Sequence, residues 1–143
     1  MNGVAERKPG PTFRQVVLDC TDVRVLADFY RRLLGWEYRP GDEPPQDGER
    51  DKDWLVLRNP DGGVQLAFQQ VDRLPEASWP DPAPIPQQLH LDLTVDSVED
   101  LDAQHDSVLE LGGRLLFDRS DHPDEPLRVY ADPAGHPFCI FVA

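Results

Sequence analysis

Several absences narrow the function of this sequence before any motif is read. No stretch approaches the ~20 consecutive apolar residues needed to cross a bilayer, and the opening MNGVAERKPGPT lacks the apolar run of a secretory signal. The expectation is a cytoplasmic protein with no membrane partner, residues 1–11 forming a loose tail. Basic residues are scarce: Lys and Arg total 14 against 27 Asp and Glu, a net charge of −13. That balance argues against a nucleic-acid partner, because phosphate binding needs a basic face. Only two cysteines occur, Cys20 and Cys139. In a reducing compartment two buried free thiols are expected rather than a disulfide. No phosphate-cradling glycine loop exists, since the DGG at 61–63 and the LGG at 111–113 stand alone.

What is present suits one domain. The chain has 143 residues, 39% of them hydrophobic, enough for a single packed core. Proline is plentiful and concentrated at positions 75, 80, 82, 84 and 86, where it excludes a regular helix or central strand. The segment 72–87 is therefore a linker. It divides residues 12–143 into a first module, 12–71, and a second, 88–143.

The two modules repeat one order of elements. RQVVLDC (14–20) alternates as a strand, with Val16, Leu18 and Cys20 on one face and Gln15, Val17 and Asp19 on the other. A helix follows, capped by Thr21 or Asp22, with Val23, Leu26, Ala27, Tyr30, Leu33 and Leu34 at helical spacing and Gly35 beyond its end. Strands are expected at 36–39, 54–58 and 64–70. After the linker, QLHLDLTV (88–95) alternates Leu89, Leu91 and Leu93 against His90, Asp92 and Thr94. Ser97 caps a helix carrying Val98, Leu101, His105 and Val108, and strands are expected at 114–119, 127–131 and 136–142. Val16, Leu18 and Leu26 fall on Leu91, Leu93 and Leu101; Leu34-Gly35 falls on Leu111-Gly112; Asn59-Pro60 falls on Asp132-Pro133. Each copy is βαβββ, and its single helix covers one face of its sheet. The predicted class is α+β, two tandem modules whose curled mixed sheets enclose a cleft.

LADFYRRLLGW (26–36), HLDLTV (90–95) and DPAGHPF (132–138), set in tandem βαβββ modules, resemble the vicinal oxygen chelate superfamily of glyoxalases, bleomycin-resistance proteins and extradiol dioxygenases. The likeness spans about residues 13–143 and is nearest to small glyoxalase-like proteins. It implies cleft-facing metal ligands on the first and fourth strands of each module, usually His or Gln and then Glu. Gln15 and His90 take the first-strand places, and Cys139 takes the fourth-strand place of module two. The repeat offset puts Leu66 opposite it in module one, and a register slip would bring in Gln65 or Gln69. Both expected carboxylates are thus missing. The resemblance guarantees no cofactor, although it admits a divalent ion (zinc, nickel, cobalt, manganese or iron) on Gln15, His90 and Cys139. It also suggests a homodimer.

The remaining expectations concern the cleft. Val17, Val64, Leu66, Phe68 and Phe141, with Trp54 at the entrance, would make it mostly apolar, the usual make-up of a small-molecule pocket. Asp19 and Asp92 share the face of Gln15 and His90. Either is a candidate general base, or a rim residue paired with an arginine such as Arg128. His90 and Asp92 are the catalytic candidates. A Cys139–His90 nucleophile needs a thiolate near a cation, which FCIFV does not offer. His105 and His122 read as incidental, and the acidic loop 42–53 as a solvated edge able to close over the cleft. Two functions follow: a binder of a small, partly apolar organic molecule, or a metal-dependent lyase, isomerase or dioxygenase acting on a small oxygenated substrate.

Overall fold

The computed structural model describes residues 10–46 and 52–143. Most of the expected tail and the middle of the acidic loop, residues 47–51, lie outside the described residues. The elements run β1 (Gln15–Cys20), α1 (Val23–Leu34), β2 (Glu37–Tyr38), β3 (Trp54–Arg58) and β4 (Gln65–Gln70), then β5 (Leu91–Val95), α2 (Val98–Leu111), β6 (Arg114–Arg119), β7 (Leu127–Ala131) and β8 (Pro137–Val142). Asp22 caps α1 by accepting from the Val25 N–H at 3.3 Å, and Ser97 caps α2 by accepting from Asp100 at 3.1 Å. Left-handed glycines, Gly35 and Gly112, close the two helices at equivalent places.

The modules form separate four-stranded sheets of matching order, β1-β4-β3-β2 and β5-β8-β7-β6. The β1–β4 and β5–β8 pairs are parallel and the others antiparallel. The α+β class and tandem modules are as the sequence indicates.

One register differs from the sequence expectation. In the hairpins, Leu57 pairs Leu66 where Tyr130 pairs Phe138, so the counterpart of Cys139 is Ala67 and not Leu66. The cause is a turn one residue longer in module one, where Gly62 and Gly63 both adopt positive φ, 85° and 87°. A one-residue offset moves every side chain of the strand to the other face. Leu66 and Phe68 therefore lie under α1, 5% and 0% exposed, while Gln65 and Gln69 pair in register with Gln15 and Asp19.

A single apolar core joins both modules. α1 buries Val23, Leu26, Ala27, Phe29 and Tyr30, a band wider than its own sheet needs, whereas α2 buries only Leu101 and Val108. Val98, expected in the α2 stripe, is exposed. Phe29 meets Phe138 of β8 edge to face at 5.9 Å, and Tyr30 stacks on Phe68 at 6.0 Å while touching Phe138. Such pairs add roughly 0.5–1.5 kcal/mol each beyond the area they bury. The modules thus share a core through their helix-bearing faces, and the open faces of the two sheets lie on the outside of it.

Polar contacts lock the same junction. The Tyr30 hydroxyl donates to Asp132 at 2.7 Å, and His136 Nε2 donates to the Asp19 carbonyl at 2.6 Å. His105, read as incidental, meets the Tyr130 hydroxyl at 2.9 Å, and His122 Nδ1 accepts from the Asp124 and Glu125 amides. The acidic loop is not wholly solvated. Asp42, 1% exposed, accepts from the Val56 amide and pairs with Lys52 and Arg39. No helix among the described residues is long and apolar enough to cross a membrane.

Candidate functional site

The open face of the second sheet carries a hollow of about 500 Å³. Alternation dictates its lining. Asp92 and Cys139 are register partners, as are Val129 and Cys139, and Leu127 and Phe141, so all project from the face opposite α2. His90, just before β5, joins them, and Phe117 and Arg119 of β6 complete the floor. Arg119 pairs with Glu125 at 2.8 Å along one side. Trp79 closes the other, its indole stacked on the His90 imidazole at 4.7 Å and 11°. The linker that delivers Trp79 is fastened to module two. Glu76 pairs with Arg114 and lies over Gly135, where a Cβ would come within 2.7 Å of the Glu76 Cγ.

At one end of this hollow three kinds of donor converge. His90 Nε2 stands 3.2 Å from an Asp92 oxygen, and each of these residues and Cys139 offers a ligand atom within 4.8 Å of the others. No other such group of three His, Cys, Asp or Glu residues occurs among the described residues. On its far side, His90 Nδ1 is 2.8 Å from the Gln87 amide oxygen. Cys139 is 4% exposed, and burial, reinforced by the Asp92 charge, pushes its thiol up to about 11. A thiol so held is not a ready nucleophile. Burial likewise pushes Cys20 up to about 12, and both cysteines are free.

The structure brings together only part of the expected site. His90, Asp92, Cys139 and Phe141 share the hollow. Gln15 and Trp54 do not line it, so the trio Gln15, His90 and Cys139 does not meet there. Val17 and Asp19 line a smaller hollow of about 220 Å³ between β1, the linker and the turn at 134–137. Leu66 and Phe68 are core residues, for the register reason above. Arg128 pairs with neither Asp19 nor Asp92. Its partners are Asp102 and Asp118.

Trp79, Phe117, Arg119 and Glu125 escaped sequence reasoning. Trp79 had one visible signal, a large aromatic within a proline-rich linker. A hollow of about 530 Å³ also lies at the start of α1, beside Thr21, Arg24, Tyr38 and Gln70, away from the one group of three candidate metal-ligating residues found among the described residues.

Residues 15–141 match the family model described as a glyoxalase-like domain. No curated protein matches the chain. Among solved structures, a glyoxalase/bleomycin resistance protein/dioxygenase family enzyme from Burkholderia phytofirmans superposes with a TM-score of 0.67 at 15% identity, covering 92% of this chain and 98% of that one. A glyoxalase/dioxygenase from Nostoc punctiforme gives 0.64 at 17%, covering 97% and 98%. A fosfomycin resistance protein from Mesorhizobium loti gives 0.62 at 13%, covering 100% and 93%. With the twin βαβββ modules and a family match along nearly the whole chain, this protein belongs to the glyoxalase-like domain family of the vicinal oxygen chelate superfamily.

Proposed function

We propose that the chain binds a small, partly apolar organic molecule in the hollow over its second sheet. One observation carries this reading: Trp79, Phe117, Leu127, Val129 and Phe141 make apolar walls, and the polar groups sit at the two ends, His90 with Asp92 and Arg119 with Glu125. Burying apolar surface supplies affinity, while a few fixed polar groups orient the ligand. The Arg119 guanidinium suits a carboxylate or phosphonate, and the His90–Asp92 pair suits a hydroxyl or carbonyl. That a fosfomycin resistance protein shares this fold supports the reading, since its name points to a small organic compound.

Thermal shift of chelator-treated protein against small aromatic and aliphatic acids tests it. A ligand at a hundred times its Kd stabilises the folded state by about 2.7 kcal/mol. Phe141→Ala should abolish the shift. If no compound moves the melting temperature, or Phe141→Ala leaves every shift intact, the reading fails.

The second reading, a metal-dependent lyase, isomerase or dioxygenase, draws on the His90, Asp92 and Cys139 cluster. The donors fit a divalent ion, with one imidazole, one carboxylate and one thiol within reach of a single centre. In this reading His90, Asp92 and Cys139 would hold the ion, and the chemistry it would supply is Lewis-acid polarisation of a substrate oxygen. His90 and Asp92 would then lie at the reacting end of a substrate, and the apolar walls would exclude water from it.

A further inference from the structure

Strand β1 is an edge strand, and its outer side faces the linker rather than another strand. The Arg14 and Cys20 carbonyls accept from Gln65 and Val71 on the β4 side, so alternation turns the backbone groups of Val17 and Asp19 outward. His136 Nε2 takes the Asp19 carbonyl, and no described residue bonds the Val17 carbonyl. Val17 lines the hollow of about 220 Å³ between β1 and the two arms of the linker. The arms are tied where they meet: the Ser78 N–H donates to the Ile85 carbonyl at 2.7 Å, and the Ile85 N–H donates to Ser78 Oγ at 3.2 Å. This tie fixes the spacing of the walls, which Leu74, Pro75, Pro86, Leu89 and Pro137 make apolar.

Charge decides what fits. Asp19 is the one carboxylate in the lining, and no lysine or arginine joins it. It is half-buried on the face of β1 that carries Val17, and its carboxylate has no hydrogen bond or ion pair among the described residues. Such a charge is screened less in a largely apolar hollow than at an open surface. The chain as a whole, at −13, draws cations and repels anions.

We propose that this junction hollow binds a small primary ammonium ion with a compact apolar body. The nitrogen bonds the Asp19 carboxylate and the Val17 carbonyl, using two of its three donors, and the body packs among the leucines and prolines. A cavity of roughly 150 Å³ holds benzene, so this one admits a single ring with a short arm. The hollow over the second sheet shares no lining residue with it and carries Arg119 at one end, which suits acids. The two readings therefore fail separately.

The test is a 1H–15N chemical-shift titration of the full chain with benzylamine, cyclohexylamine and butylamine, with benzyl alcohol and benzoate alongside. Benzylamine should give saturable shifts at the amides of Val17, Leu89, Ala134 and Gly135, and bind at least about tenfold more tightly than the alcohol or the acid. Asp19→Asn keeps the carbonyl that His136 uses and should weaken benzylamine by about tenfold to a hundredfold. Asp96→Asn, which removes the same charge from an exposed position outside the lining, should leave binding unchanged. The spectra themselves identify variants that fold, and the comparison of amine, alcohol and acid on the wild type needs no variant. The proposal is overturned if none of the three amines gives saturable shifts at the junction, or if benzyl alcohol or benzoate binds there as tightly as benzylamine. It is equally overturned if folded Asp19→Asn binds benzylamine as the wild type does, or if the shifts fall instead on Phe117, Leu127 and Phe141, which places the amine over the second sheet.

Discussion

Tyr30 of module one and Asp132 of module two lie 102 residues apart in sequence and 2.7 Å apart in space, the hydroxyl donating to the carboxylate. Asp132 also accepts from the backbone amides of Ala134 and His136, so it orders the β7–β8 turn and fastens that turn to α1. Tyr30→Phe removes one donor and leaves the acceptor 2% exposed. A loss of about 1–3 kcal/mol is expected, read from the urea midpoint.

The same carboxylate has a pH signature. Burial pushes Asp132 above the usual carboxylate range, against the opposing pull of His136 and the Tyr30 hydrogen bond. A raised folded-state pKa contributes stability that is fully present below the unfolded value and is lost as pH rises through the folded value. Relative to Asp132→Asn, the wild type should therefore lose stability as pH climbs from the unfolded carboxylate value to neutrality. Denaturation of both proteins across that window checks it. A difference that grows in the opposite direction refutes the assigned sign.

Asp42 has the contrary sign. Burial works to raise it, but Lys52, the Val56 amide and Arg39 outweigh that and hold it below the usual carboxylate value. Its contribution is present above the unfolded value and disappears as pH falls through the folded one. Asp42→Ala strands the buried Val56 amide and should cost about 2–4 kcal/mol at neutral pH, with the difference from wild type shrinking in acid. Arg39→Ala, at a side chain 41% exposed, should cost under about 1 kcal/mol. Chemical denaturation at two pH values separates the two variants.

Deleting Gly63 tests what sets the β4 register. If the longer turn sets it, the deletion pulls the strand back by one place and turns Leu66 and Phe68 out of the core. Moving two large core side chains into water should cost more than about 3 kcal/mol or abolish folding. A deletion variant of near-native stability would show that core packing, not turn length, holds the register.

Much of the architecture was legible because it rests on local rules. The alternation of RQVVLDC, the capping residues Asp22 and Ser97 and the helix-ending glycines 35 and 112 set the element order and the duplication. The face of β4 was misjudged because Leu66 and Phe68 are apolar whichever way they point, and only the hairpin pairing reveals the extra turn residue. How the modules meet was hidden for another reason. Periodicity shows that Tyr30 avoids water, but not that it and Phe29 reach across to Phe138. In the site, the shared face of His90 and Asp92 followed from alternation and Cys139 from the family resemblance, whereas Trp79 arrives on a linker whose path no periodicity records.

The shared core has a consequence for how such a protein can change. Its aromatic heart stands on the side of the second sheet away from the hollow, so the foundation and the workbench meet only through the backbone of β5 to β8. Phe117, Leu127 and Phe141 line the hollow and stand outside the interior that keeps the halves together, so their substitution should leave that interior undisturbed. No residue of module one is among those lining that hollow; it meets the second half through the shared interior instead.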